Sequence, residues 1–524
     1  GTTGIKTCIF EIDKDFRILA SATESYKLYV YDDGGAEQDP DEWWAAMCST
    51  TRVVLEKSGI SPAKIAGVSF CSQAQGLVLV DKDGVAIRRA FSYMDQRARK
   101  EIKEGISYGL QIAGANIFKL IPALMITGAA PVSVKDPVWK YNWVKNNEPE
   151  NFKRVYKWLD VKEYLICRLT GEFVMTYDSA VGTLLLHLKN KSISKKMSKR
   201  CGGNYDDHLP KLIASSDCAG EITEKAAKEL GLVKGIKVFG GGMDASLIGV
   251  GAGSTELGET HIYSGTSGWV STVTDKSAVD VTTMIAATVA AQPGKFNYFA
   301  ELETSGKCLE WVKDHIALDE VGIYIQKKHI AEDFESKYLN LYQYMTTVVD
   351  DIPAGSGGVI FTPWLHGNRC PFEDPNARGM FFNISLDTGK TELIRAVLEG
   401  VCYHKRWMLE ASERKVKTSD VIRFVGGGAL NDFTCQLLAD ITGHTIETVD
   451  SPQNVGAVGA AVCVAIVLNL IPSFDKVKDF IPAKKTFKPN LKLKAEVYDK
   501  GFEVFKNLYK ANKQNFALLN GNHK

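Results

Sequence analysis

The clearest chemical device in the chain is a carboxylate at the end of a glycine run: Val238-Phe239-Gly240-Gly241-Gly242-Met243-Asp244-Ala245-Ser246, near the middle of 524 residues. Residues 236–239 are a short apolar run that reads as a buried strand. The three glycines let the backbone turn and come close to a ligand, and Asp244 opens a run able to start a helix. A carboxylate delivered at the end of a strand in an α/β sheet stands where ligands bind, and it can take a proton from a substrate hydroxyl. The same residues also fit a plainer role, Asp244 capping a helix and the glycines making a turn.

Three more glycine-rich turns have to be explained beside it. They are Gly1-Thr2-Thr3-Gly4, with Lys6 just beyond, Ser264-Gly265-Thr266-Ser267-Gly268, and Gly426-Gly427-Gly428, which runs on to Asn431. Turns of Gly and Thr at strand ends offer backbone N–H groups and hydroxyls to phosphate oxygens. The dinucleotide fingerprint fits the glycines of 249–253 poorly, and the Walker loop is absent. What remains is a phosphate held from two sides by two glycine hairpins, with an Asp between them. A polar loop, Gln73-Ala74-Gln75, sits between strands expected at 65–70 and 76–80. Asp95-Gln96-Arg97 ends another at 90–94, where Asp95 and Arg97 suit a ligand loop and an ion pair opening the next helix equally well.

The elements that must position these residues can be read in order. Residues 7–12 and 18–26 form a hairpin. Gln38-Asp39-Pro40 opens a helix with an N-cap and a proline in the first turn, and Trp43 and Trp44 face the core. Helices follow at 136–147, 161–170 and 223–230, and the basic stretch 189–200 reads as a solvated surface. Residues 262–273 read as strand, tight turn, strand. This echoes the start of the chain at a separation of about half its length, which is what two similar domains give. A long helix over 391–414 carries Leu393, Val397, Val401 and Trp407 toward the core. Strand 422–425, a helix from 432 to 442, strand 445–449, a small-residue helix over 456–468 and an amphipathic helix from 496 complete the reading.

Composition excludes several classes. With 63 basic and 62 acidic side chains the net charge is +1, which gives no long-range field favouring nucleic acid or an anionic membrane. Hydrophobic residues at 45% and charged residues at 24% are those of a folded globular protein. Eleven scattered cysteines without a C-x-x-C pair fit a reducing, cytoplasmic setting. No apolar run is long enough to span a bilayer. The length implies two large domains.

Taken together, these motifs resemble the FGGY family of carbohydrate kinases over residues 1 to about 470, closest in pattern to its xylulokinase-like members. Gly1-Thr2-Thr3-Gly4-Ile5-Lys6 resembles the end of the family's first phosphate loop, and Ser264-Gly265-Thr266-Ser267-Gly268 its second. Gly240-Gly241-Gly242-Met243-Asp244 stands where the family has its catalytic Asp, with one residue more than the usual G-G-G-D. Phe424-Val425-Gly426-Gly427-Gly428-Ala429-Leu430-Asn431 is similar to the adenosine-binding segment, and the stretch from Gly379 through Glu399-Gly400 to the C-terminal signature. The resemblance implies an α/β fold of two ribonuclease-H-like (actin-like ATPase) domains with a nucleotide cleft between them, over residues 1–253 and 254–470, followed by a helical tail over 471–524. It also implies ATP and Mg²⁺ as cofactors and a sugar as substrate. Asp244 would be the base, with Thr2, Thr3, Lys6, Gly265, Thr266, Ser267, Gly427, Gly428 and Asn431 on the nucleotide, and Gln73, Ala74, Gln75, Asp95 and Arg97 on the sugar. A homodimer is left open.

Two departures bear on this. The family's first-strand Asp falls two residues before Gly1, so the metal ligand is unassigned, and a short upstream strand ending in that Asp is expected to precede the first turn. The substrate loop reads Gln73-Ala74-Gln75-Gly76 where xylulokinases have Gln-Met-His-Gly. An amide replaces a titratable donor and volume opens. A ketopentose such as D-xylulose is the first expectation, with another ketose, a polyol, or a non-catalytic sugar or nucleotide sensor as alternatives.

Overall fold

The computed structural model describes residues 1–13, 15–112, 115–129, 131–201, 205, 207–280, 282–316, 337–349 and 351–521. By compactness the chain divides into two units. The first comprises Gly1–Gly251, Thr288–Phe296 and Gly456–Phe480, and the second Ala252–Ala287, Asn297–Val455 and Ile481–Lys524.

In the first unit the strands Gly4–Ile12 and Phe16–Ser25 pair as the expected hairpin. The helix Pro40–Ser58 has Asp39 as N-cap, accepting the Asp41 N–H, and ends at Gly59 in the left-handed conformation. Its Trp43 and Trp44 are buried with Tyr164, Leu165 and Val238 in one core cluster. Two parallel pairings set the centre of the unit. Lys237–Phe239 lies beside Gly67–Val68, and Gly242–Met243 beside Cys71–Ser72. Between them the chain bends at Gly241, where φ is +63° and a Cβ would meet the Phe70 carbonyl oxygen at 2.1 Å. Only glycine passes there.

The second unit is built on a sheet that is eight-stranded among the described residues. Its order is Val279–Asp280, Ile285–Val289, Phe296–Leu302, Gly268–Thr274, Thr260–Ser264, Val421–Val425, Thr445–Thr448 and Lys485–Phe487. The expected hairpin about residues 265–267 is present, with Ser264 opposite Gly268. The long helix Lys390–Glu413 buries Val397 and Val401 but also Glu399, His404 and Lys405, so it is not simply amphipathic.

This division departs from the boundaries expected at 253/254 and 470/471. The chain returns to the first unit through the helix Val455–Val467 because its small residues allow backbone contact: a Cβ on Gly459 would lie 2.2 Å from the Leu247 carbonyl oxygen. Nor are residues 481–524 a separate tail. Lys485–Phe487 extends the second unit's sheet, and the helix Asp499–Asn520 buries Phe502, Phe505, Tyr509 and Phe516. Tyr509 stacks on Phe372 at 3.5 Å between ring centroids. No helix among the described residues is long and apolar enough to cross a membrane, and all eleven cysteines are free.

Gly459→Ala should therefore lower the melting temperature, since overpacking against backbone costs about 1–3 kcal/mol or more. An unchanged melting curve would contradict this packing.

Candidate active site

In the first unit the parallel register pairs Cys71 with Gly242 and Ser72 with Met243. The next residues, Gln73 and Asp244, therefore leave the sheet together at its carboxyl end, the end at which α/β sheets bind ligands. Asp244 is half-buried and begins the helix Asp244–Gly251. Its Oδ1 accepts the Ala245 N–H at 2.8 Å. Starting the helix and facing a ligand are compatible roles here.

The polar loop is tightly built. Gln73 is buried, and its Nε2 donates to Gln38 Oε1 at 2.8 Å. Its Oε1 has no hydrogen-bond partner among the described residues. A buried acceptor without a donor is rare, and a hydroxyl-bearing ligand would satisfy it. Gln38 in turn donates to the Thr2 carbonyl at 2.7 Å, tying the polar loop to the first glycine-threonine turn. Gly1 of that turn lies within electrostatic reach of Asp244. Thr3 is exposed, and half-buried Lys6 stands opposite Thr23 on the first strand. Ala74 is half-buried, and Gln75 adopts φ +61°. That strained backbone is pinned at both ends. The Gln75 N–H donates to Asp160 Oδ2 at 3.0 Å, and its carbonyl accepts from Lys140 Nζ at 3.4 Å. Burial pushes the Lys140 ammonium down to about 7, against the pull of Asp95, Asp136 and Asp160.

Asp95 and Arg97 form an ion pair. Asp95 is fully buried and takes Arg97 Nη2 at 2.7 Å and the Ala36 N–H at 2.7 Å. Arg97 also reaches Glu37 at 2.6 Å. The pair does not open the following helix, whose N-cap is Ala98. It fastens this loop to the strand Ala36–Gln38.

In the second unit the same geometry recurs. Thr260–Ser264 and Val421–Val425 run parallel, Tyr263 beside Val425. The turn of Gly265, Thr266 and Ser267 and the turn of Gly426, Gly427 and Gly428 therefore leave the sheet side by side. The Gly265 and Thr266 carbonyls accept N–H groups of Ser305, Gly306 and Lys307 at 2.8–3.2 Å, which fixes the first turn. Lys405, buried, donates to Ser264 Oγ at 2.9 Å, and that hydroxyl also bonds Ser305 Oγ at 2.9 Å. Burial pushes Lys405 down to about 8, with the thiols of Cys402, Cys308 and Cys435 acting in the opposite direction. A buried ammonium without an acidic partner among the described residues, one residue short of a glycine-threonine turn, suits an anionic ligand there.

Asn431 lies at the end of this segment but is engaged at both ends. Its Oδ1 accepts the Thr434 N–H at 3.2 Å, and its Nδ2 donates to Thr346 at 2.9 Å. Gly428 faces protein, since a Cβ there would meet the Ser264 side chain at 2.9 Å and Phe424 at 3.1 Å. Sequence reasoning missed Gln38, Lys140, Asp160 and Lys405. The available signal was charge set among large apolar residues: Lys140 amid Val138, Trp139, Tyr141 and Val144, and the Lys405-Arg406 pair between Val401-Cys402-Tyr403 and Trp407-Met408-Leu409.

Residues 1–251 match the N-terminal domain, and residues 261–468 the C-terminal domain, of the FGGY family of carbohydrate kinases. The chain belongs to that family, whose two-domain, actin-like ATPase fold it shares, and by class it is a sugar kinase. It is 26% identical to the xylulose kinase of Bacillus subtilis over 511 residues, 97% of this chain and 95% of the relative. Among solved structures it is similar to gluconate kinase from Lactobacillus acidophilus (TM-score 0.84, 26% identity, 99% and 98% of the two chains covered). It is equally similar to the ligand-bound xylulose kinase of the same organism (TM-score 0.84, 25% identity, 99% and 98% covered).

If Lys405 supplies charge to the phosphate turn, the KM for ATP should climb as pH rises through about 8, where the ammonium loses its proton. Lys405→Met should raise that KM at pH 7 and flatten its pH dependence, leaving the sugar KM in place. The same pH slope in the variant would remove Lys405 from nucleotide binding.

Proposed function

We propose that this chain transfers the γ-phosphoryl group of ATP to a hydroxyl of a ketose, with D-xylulose the first candidate. The observation that supports it most is the register that brings Asp244 and the unsatisfied Gln73 carbonyl out of the sheet side by side. Gln73 would accept a hydrogen bond from a sugar hydroxyl, and Asp244 would take the proton of the attacking one. In the second unit the turn of Gly265, Thr266 and Ser267, backed by Lys405, would hold phosphates, and the neighbouring Gly427 turn the nucleoside. Phosphoryl transfer passes through a loose transition state, so positioning and charge neutralisation are most of what these residues have to supply.

Among the described residues no three His, Cys, Asp or Glu side chains converge as a metal cage. This suits Mg²⁺, which takes one or two carboxylates and fills its shell with phosphate oxygens and water. Asp244, beside the first glycine-threonine turn, is the carboxylate at hand. An ion held there would offset the negative charge of the phosphates.

Relatives named for xylulose and for gluconate make a neutral ketose and an acidic sugar the two readings to separate. Of the cations about the sugar loop, Arg97 is already committed to Asp95 and Glu37, and Lys140 to the Gln75 and Ser92 carbonyls. That favours the neutral ketose over a carboxylate-bearing substrate. A coupled assay of ADP release with D-xylulose, other ketoses, polyols and gluconate tests this directly. The highest kcat/KM is expected for a ketopentose, and a preference for gluconate would refute the choice.

Asp244→Ala should lower kcat by roughly 10²–10⁴ while ATP affinity stays nearly constant. Retention of more than about a tenth of kcat would be too small a loss for a base.

Gln75→His restores the xylulokinase-like residue at a left-handed position that histidine tolerates. The ratio of kcat/KM between D-xylulose and the best other substrate should move by about tenfold or more, as one buried hydrogen bond allows. An unchanged ratio would take the Gln75 side chain out of sugar selection.

A further inference from the structure

Asp178 is 1% exposed. Burying a carboxylate is costly unless it is paired or fully hydrogen-bonded, and both oxygens of this one accept hydrogen bonds. Its Oδ2 accepts the Met243 N–H at 2.7 Å. Its Oδ1 accepts the Ser179 N–H at 2.9 Å and the Thr176 hydroxyl. Lys162, fully buried and ion-paired with Glu163, lies within electrostatic reach of Asp178 and donates to Thr176 Oγ1 at 2.6 Å and Ser179 Oγ at 2.8 Å. Burial opposes the Lys162 charge, but the carboxylates of Glu163, Asp178 and Asp160 outweigh it, so the ammonium is held above its ordinary range.

The bond to Met243 is the informative one. Met243 immediately precedes Asp244, in the two-residue strand that delivers it. The approach of Asp178 is possible only because residue 242 has no side chain, since a Cβ on Gly242 would lie 2.8 Å from Asp178 Oδ2. Both Asp178 and Asp244 act electrostatically on the Cys71 thiol, which places the two carboxylates about one neighbourhood. The first turn of the helix Val161–Thr170 also serves the polar loop, since Asp160, its N-cap, accepts the Gln75 and Gly76 N–H groups at 3.0 Å.

We propose that Asp178 is a positioning residue for the transfer: its charge-assisted hydrogen bond fixes the Gly242–Met243 peptide, one residue before Asp244, and so aims the Asp244 carboxylate at the acceptor hydroxyl. Thr176 and Lys162 hold Asp178 in that attitude. The proposal rests on Asp244 being the base. Misplacing a reacting group by a small distance lowers the rate without loosening the ligand, so the defect belongs in kcat.

The test measures kcat, the KM for ATP, the sugar dissociation constant by calorimetry, and melting curves for Asp178→Ala, Asp178→Asn and Thr176→Val, with Asp244→Ala as reference. Asp178→Ala should lose about tenfold to a hundredfold in kcat, with the ATP KM and the sugar dissociation constant within about twofold. Asp178→Asn keeps an acceptor for the Met243 N–H and should recover part of that loss. Thr176→Val leaves every charge in place and should show a smaller loss confined to kcat, so it reports even if the Asp178 variants fail to fold. Wild-type kcat in folded Thr176→Val or Asp178→Ala, no recovery in Asp178→Asn, or losses shared equally by KM and sugar affinity would overturn the proposal. Full activity in Asp244→Ala would instead overturn the assignment of the base.

Discussion

The first unit depends on one short parallel pairing, Cys71–Ser72 beside Gly242–Met243. Two residues of strand are little structure, yet their register decides what stands beside Asp244. A slip of one residue would turn every side chain of the segment to the other face of the sheet. The register is set by a bend that only Gly241 can make against Phe70, and by N–H groups of Gly240 and Gly241 donated to Asp217 and Ser215 at 3.0 and 2.8 Å. Gln73 and Asp244 are neighbours because of those contacts, although they are 171 positions apart in the sequence.

The second unit uses the same rule with different residues. Two parallel strands, Thr260–Ser264 and Val421–Val425, end together and release two glycine turns at one edge of the sheet. Here the supporting charge among the described residues is a buried ammonium, Lys405, whereas in the first unit it is a hydrogen-bonded network of Lys162 with the carboxyl groups of Asp160, Glu163 and Asp178. The difference suits the ligands proposed. A cation without an acidic partner among the described residues favours an anion, and a hydrogen-bonded network with its own buried ammonium fixes geometry beside a neutral sugar.

Much of this was legible in the sequence because it was local. The glycine turns, the cap at Asp39, the helices Val161–Thr170 and Glu224–Leu230 and the strand-turn-strand about residues 265–267 all depend on residues close in the chain. What was not legible depends on distant partners. That Asp95 and Arg97 pair with each other and do not open the next helix became visible only with Glu37 and the Ala36 N–H beside them. The last helix reads as an amphipathic tail unless its aromatic stripe is known to meet Phe372. The small residues of 456–468 announced close packing, but not that the surface they pack on lies in the first unit. Lys140, a lone charge among apolar residues, and Lys162 and Lys405, each beside another charged residue, were the signal left unused, since such residues are buried only with partners that the sequence does not name.

The central claim is that this chain moves a phosphoryl group from ATP to a sugar hydroxyl. ³¹P nuclear magnetic resonance of the protein with ATP, Mg²⁺ and D-xylulose follows the group itself. The account predicts that the γ-phosphate resonance is replaced by that of a sugar phosphomonoester, and that omitting the sugar leaves ATP intact. Persistence of ATP with every ketose offered, or conversion of the γ-phosphate to inorganic phosphate alone, would contradict it.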